Sequence, residues 1–168
     1  SFYKEYTIPD TVTTIHAKAF SGFNFLTSIV IPESVREIGD RAFTGCSALR
    51  TITFLGSVES MGVSPFGLCS RLSEITVIGE GENFKVVDDV LFDKELTRLV
   101  FCSRKKSGIY EIPGTVRTID PRAFSECMKL TSIIIPDSIT EILSIVFSDS
   151  GLETITVPDS VTSIGKGA

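Results

Sequence analysis

The chain is 168 residues long, 42% apolar, and carries a formal charge of −5 with one histidine, four cysteines and no tryptophan. That apolar content suffices for a buried core, while the acidic balance argues against general nucleic-acid binding, which needs a basic face. No run of 18 apolar residues occurs, so no helix of this sequence is expected to insert in a membrane.

The first 78 residues show a repeat. Ile8-Pro9, Ile31-Pro32 and Phe54-Leu55 open stretches 23 residues apart, and the pattern returns at Ile112-Pro113, Ile135-Pro136 and Val157-Pro158. Aligned on these openings, a Val/Ile column runs through Val12, Val35, Val58, Val116, Ile139 and Val161. A second column holds Ile15, Ile38, Met61, Ile119, Ile142 and Ile164. A third holds Phe20, Phe43, Phe66, Phe124 and Phe147, and a fourth Leu26, Leu49, Leu72, Leu130 and Leu152. The repeat from 135 is one residue short, at Ser150-Gly151-Leu152. A fixed period in the twenties predicts a solenoid, because one such unit cannot bury its own apolar face and must stack on the next.

Within each repeat, Leu-x-x-Ile-x-Ile reads as a half-buried strand ended by proline, which has no N–H for the ladder. A shorter extended piece follows at Ser-Val-x-x-Ile, with Gly39, Gly62 and Gly165 expected in a positive-φ turn. Ala-Phe then sits on a short turn or a single helical turn. The predicted class is α/β: stacked short parallel strands with short helical or 3₁₀ turns, wound as a right-handed solenoid over 1–168. Repeats start at 8, 31, 54, 77, 112, 135 and 157, and the coil 77–111 is enlarged. Inside it, residues 83–101 alternate with period 2 around a turn at Asp93-Lys94-Glu95, predicting a hairpin between Gly79/Gly81 and the loop Arg104-Lys105-Lys106. Tyr3 and Tyr6 fit the Leu and Ile columns of a preceding repeat, and the chain stops just before the next Phe. Both ends therefore read as cut from a longer array, with self-association through the exposed columns as a consequence.

Candidate chemistry is sparse. Cys46, Cys69 and Cys127 share one repeat position, also filled by Phe23, and read as buried packing thiols; a Cys46–Cys69 bridge between neighbouring coils is the alternative. Zinc is disfavoured, since no C-x-x-C occurs and stacked positions do not converge tetrahedrally. Cys102, outside the column, is the candidate reactive thiol or else a partly buried strand end. His16 reads as a turn residue with no nucleophile motif to serve. Asp88, Asp89 and Asp93 could offer oxygens to calcium, but without an EF-hand or nonapeptide pattern they read as a solvated turn. Arg104, Lys105 and Lys106 read as a solvated loop. No catalytic, metal or cofactor site is predicted.

The remaining surface is the outward column of the strands: Thr27, Ser28 and Val30; Arg50, Thr51 and Thr53; Ser73, Glu74 and Thr76; Thr131, Ser132 and Ile134; Glu153, Thr154 and Thr156. It reads equally as a protein-binding face or as a solvated threonine ladder that satisfies β-propensity.

Residues 31–46 and 112–127, with the Val90-Leu91-Phe92 insert, resemble the BspA-like leucine-rich repeats over essentially the whole chain. The resemblance implies a surface or secreted protein of bacteria or parasitic protists, often an adhesin, binding host matrix or cell-surface proteins through the strand face. It supplies no catalytic residue. A structural spacer without a ligand and an intracellular scaffold are the rival readings.

Overall fold

The computed structural model describes residues 4–56, 58–78 and 83–168; Tyr3, Gly79 and Gly81 lie outside them. In chain order the strands are β1 (Glu5–Thr7), β2 (Thr14–Ile15), β3 (Ser28–Ile31), β4 (Glu37–Ile38), β5 (Thr51–Phe54), β6 (Ser60–Met61) and β7 (Glu74–Val77). An insert follows with β8 (Phe84–Val87), β9 (Val90–Asp93) and β10 (Arg98–Cys102). The coils then resume with β11 (Gly108–Glu111), β12 (Thr118–Ile119), β13 (Leu130–Ile134), β14 (Glu141–Ile142), β15 (Thr154–Thr156) and β16 (Ser163–Ile164).

The 23-residue period becomes register directly. Tyr6, Ile29, Ile52 and Ile75 pair in line along the parallel ladder β1-β3-β5-β7, and Ile15, Ile38 and Met61 along β2-β4-β6. Equal positions therefore sit one above another, and the Phe column becomes a stack. Phe20 and Phe43 lie 5.2 Å apart at 8°, Phe43 and Phe66 5.6 Å apart at 18°, and Phe124 and Phe147 5.5 Å apart at 24°. Each fully buried ring contributes about 1.5–3 kcal/mol by burial, and each ring pair about 0.5–1.5 kcal/mol more.

Two expectations fail at the Phe turn. No described residue is in an α- or 3₁₀-helix, so the class is all-β rather than α/β. The reason is visible in the backbone hydrogen bonds. The N–H groups of Lys18, Phe20 and Gly22 bond to Asp40, Ala42 and Thr44 of the next coil, and only those of Ala19, Ser21 and Phe23 bond back within the turn. A helix would consume all of them internally. Left-handed residues also recur twice per coil, at Lys18, Arg41, Ser64, Arg122 and Ile145 and again at Gly22, Gly45, Leu68, Glu126 and Asp149, which prevents a helical run. Gly39, Gly62 and Gly165 are not among the positive-φ residues. They are small because coils touch there: a Cβ on Gly39 would stand 2.4 Å from the Ala17 nitrogen, and one on Gly62 2.4 Å from the Asp40 nitrogen.

The insert is a three-stranded antiparallel meander and not a single hairpin. β8 and β9 join through Asp88-Asp89, both at positive φ (49° and 65°), as a two-residue hairpin turn requires. The turn expected at Asp93 is the β9–β10 connection, where Asp93 accepts the Thr97 and Arg98 N–H groups at 2.7 and 2.8 Å. β10 then pairs in parallel with β12. The meander divides the interior in two. Leu91, Val100 and Phe101 pack on the core of the first three coils, while Val90, Phe92, Leu99 and Cys102 pack on the core of the later coils. A bulge between Leu99 and Phe101 puts both Val100 and Phe101 on the same side. The alternation from which the sequence reading predicts a hairpin thus belongs to a wall in which β9 and β10 are buried on both faces.

This wall interrupts both ladders. Among the described residues neither β7 nor β11 pairs across the gap, so the strand surface is two sheets, β1-β3-β5-β7 and β11-β13-β15. Ile75 and Val77, at positions where Ile29, Ile52, Ile31 and Phe54 are buried, are left half-buried at the seam.

Candidate functional site

Arg98 closes the seam. In the regular coils the N–H groups of Gly39 and Gly62 bond to the preceding coil's Ile15 and Ile38 carbonyls. At the seam no N–H among the described residues takes that place for Met61, and the Arg98 guanidinium donates to the Met61 and Gly62 carbonyls at 2.7 and 2.8 Å. It also grips Asp120 through two oxygens at 2.8 and 2.7 Å, and Asp120 in turn accepts the Ser64 N–H at 3.1 Å. Asp120 occupies the position that is glycine in crowded coils; the seam leaves room for its carboxylate. Burial works against the Arg98 charge, but Asp120, with Asp93 and Asp40, outweighs it and holds the Arg98 pKa above its ordinary value.

The basic loop is not solvated. Arg104 and Lys106 are only 7% and 8% exposed. Lys106 donates to the Asp88 carbonyl at 3.0 Å, pairs with the Asp88 carboxylate, and lies 4.6 Å from the Tyr110 ring centroid. Lys105 pairs with Asp89 at 3.0 Å. The three aspartates thus anchor turns, and among the described residues no group of three or more metal-ligating side chains converges. Arg104 lies over Phe101 at 4.3 Å and donates to the Cys102 carbonyl at 3.1 Å and the Cys127 sulfur at 3.2 Å. Its Nε and Nη2 are buried without a hydrogen-bond partner, so this cation leans on Cys127 for compensation.

All four cysteines are free and fully buried, Cys102 included, so it is no exposed reactive thiol. Cys46 and Cys69 donate to the Phe20 and Phe43 carbonyls of the preceding coil at 3.1 and 3.2 Å. Side-chain interaction with Cys102 lowers Cys127 to about 7, against burial and with help from Arg104; burial and the same interaction raise Cys102. Likewise the side-chain interaction between Cys46 and Cys69 favours the thiolate of the first and disfavours that of the second. His16 lines a shallow cleft at the β2-β4-β6 edge, beside Gly39 and Gly62.

The outward strand residues fall into two aligned columns per sheet. Ser28, Thr51 and Glu74 pair in line, as do Val30, Thr53 and Thr76; in the second sheet Ser132 pairs with Thr154 and Ile134 with Thr156. Thr27, Arg50, Ser73 and Glu153 stand just before the strands, and Thr131 is the second residue of β13. The sequence reading missed Ile109 and Glu111, which pair with Ser132 and Ile134 and extend the same columns; Ile109 is 71% exposed. Their signal was available, since Ile112-Pro113 places 109 and 111 at the outward positions. Where β7 meets the insert lies a cleft of about 210 Å³, lined by Ser73 to Thr76 on one side and by Val86, Asp89, Ser103 and Lys105 on the other.

The family described as BspA type leucine rich repeat region matches residues 2–107 and 94–168, in six copies. The chain belongs to the BspA-type leucine-rich repeat family. None of the curated proteins compared matches it. Among solved structures, this BspA-type chain is similar to a leucine-rich repeat protein from Eubacterium ventriosum (20% identity, TM-score 0.59, 96% of this chain and 56% of that one). It is also similar to the pneumococcal vaccine antigen PcpA (21%, 0.61, 97% and 58%). A leucine rich cell surface protein from Faecalibacterium prausnitzii aligns at 25% identity and TM-score 0.58, over 97% of this chain and 44% of that one. The BspA-type chain thus spans about half the length of these structures. At such identities the first two likenesses concern the fold.

Proposed function

We propose that this chain is a non-enzymatic protein-binding segment of a cell-surface or secreted adhesin, holding a host matrix or cell-surface protein on its strand face. The observation that carries the reading is the register of the outward columns. Val30, Thr53 and Thr76 stand in line on one ladder, and Ile134 with Thr156 on the other, each fixed by stacked cores beneath. Such a surface is rigid before a partner arrives, so little conformational entropy is lost on docking. The F. prausnitzii relative's description as a cell surface protein supports the location. The two sheets and the cleft beside β7 act as one face, with Ile109 and Glu111 added to the residues read from sequence.

A spacer without a ligand is the second reading. It is favoured by the Thr27 hydroxyl, bonded to the Lys4 carbonyl, and the Thr154 hydroxyl, bonded to Ser132 Oγ at 2.9 Å, which satisfy each other's coils. Binding of the chain and of its Thr53→Lys/Thr76→Lys variant to immobilised extracellular-matrix proteins separates the two. Saturable binding that the variant loses at unchanged melting temperature supports the adhesin reading. Equal binding by both proteins, or none, removes the strand face as the site.

A further inference from the structure

On its turn side the enlarged coil is cut short, which opens a second cleft on the turn ridge. That coil crosses from Leu99 to Ile109 in ten residues, where the next takes thirteen from Ile119 to Ser132. Its turn residues Cys102, Ser103 and Arg104 are buried, so it cuts inside the ridge that neighbouring coils form. The third and fifth coils therefore meet there. Ser64 N–H reaches Asp120, and a Cβ on Gly67 would stand 3.0 Å from Arg122 Cδ. Between them is a cleft of about 180 Å³, with Arg41 on one coil and Arg122 on another among its lining residues.

In a chain with 21 acidic and 16 basic residues, these two arginines are unusual. Among the described residues neither guanidinium makes an ion pair or a side-chain hydrogen bond. The adjacent acids are committed elsewhere: Asp40 accepts the Val63 N–H at 2.8 Å, and Asp120 holds Arg98 and Ser64. The rest of the lining is Thr44, Ser64, Pro121 and three aliphatic residues, Val63, Leu68 and Ile145, with Val63 and Leu68 47% and 37% exposed. Aliphatic carbons beside two unpaired guanidiniums suit a carboxylate next to an apolar group. The lining contains no aromatic ring for a sugar to stack on.

We propose that this ridge cleft binds a peptide segment of a protein partner in which an acidic residue adjoins an aliphatic one, the carboxylate held between Arg41 and Arg122. The site is on the turn ridge, so it stands or falls independently of the strand face.

Backbone amide NMR of the chain tests this with N-acetyl-Glu-Leu-amide, its Gln-Leu analogue, inorganic sulfate and a sulfated disaccharide as separate probes. The expected result is saturable shifts at Val63, Ser64 and Leu68 with the Glu peptide. The Gln analogue should bind at least about tenfold more weakly, the weight of a charge-assisted pair. Arg41→Gln/Arg122→Gln, with an otherwise unchanged amide spectrum, should abolish the shifts; Arg41→Gln alone, at an exposed side chain, should weaken them if the double variant unfolds. No shifts, equal response to both peptides, or tighter binding of the disaccharide or of sulfate overturns the proposal.

Discussion

Arg98→Met is the sharpest perturbation of this fold, since one side chain bridges three coils across a broken ladder. The substitution keeps the aliphatic stem and removes donors from the Met61 and Gly62 carbonyls and from both Asp120 oxygens. Asp120, with a side chain only 7% exposed, is then left with the Ser64 N–H. Removing one partner of a buried ion pair costs about 3–5 kcal/mol, and the quarter exposure of Arg98 points to the lower end, about 3 kcal/mol. For a chain of this size that corresponds to a fall in melting temperature of roughly 6–12 °C. Urea denaturation of the wild type, Arg98→Met, Asp120→Leu and the double variant closes the cycle. Because the second substitution removes the stranded charge, the double variant should be more stable than the sum of the two losses by roughly 2 kcal/mol. A loss below about 1 kcal/mol for Arg98→Met, or additive losses in the cycle, would refute the role assigned to this residue.

Three further outcomes follow from the same structure. Gly39→Ala should cost roughly 2–3 kcal/mol through overpacking against Ala17, whereas Gly22→Ala, at φ 76° in open space, should cost about 1 kcal/mol from backbone strain alone; equal losses in denaturant titration would contradict the close-approach argument. Stability should rise with pH between about 7 and 9, because Cys127 is lowered to about 7: its contribution is complete above its unfolded pKa and lost as pH falls through the folded one. Above that window the raised thiol of Cys102 and phenol of Tyr110 reverse the trend, and Arg104→Leu should flatten the rise; a pH-independent midpoint, or no thiolate absorbance from Cys127 in the folded chain at pH near 8, would contradict the pairing. Asp89→Gly should stabilise by about 0.5–1 kcal/mol, since relief at φ 65° outweighs a half-exposed ion pair with Lys105; a loss of stability would show that the pair matters more than the turn.

The strand positions were legible because a column repeated every 23 residues has one physical meaning, the burial of one coil on the next. Ile29, Ile52, Phe43 and Leu49 are core for the reason the pattern suggests. The turn chemistry was not legible. Glycine at Gly39 and Gly62 suggested positive φ, but the constraint is contact with the coil beneath, while left-handed backbone sits on Arg41, Ser64 and Ile145, which sequence gives no reason to choose. The insert misled for a similar reason. Period 2 in Val90–Asp93 is the same whether one face is buried or two, and only the arrangement of neighbouring coils shows that both are. Arg104-Lys105-Lys106 reads as a loop by composition, yet two of the three are buried: Lys106 under the hairpin turn at Asp88, and Arg104 over Phe101 beside Cys102 and Cys127. Of the candidate surface, Ser28, Thr51 and Glu74 and likewise Val30, Thr53 and Thr76 stand in line as the period implies; the enlarged coil was visible in the sequence, but not that it would split the strands into two sheets.

The central claim is that the aligned strand columns are the surface that meets a protein partner. It is tested most directly by threonine-methyl NMR of the chain with an extracellular-matrix protein that it binds in the screen. Broadening confined to Thr51, Thr53, Thr76, Thr154 and Thr156, with Thr14 and Thr118 on the opposite ladders unchanged, is the predicted result. Broadening centred on Thr14 and Thr118, or spread evenly over all threonines, would contradict it.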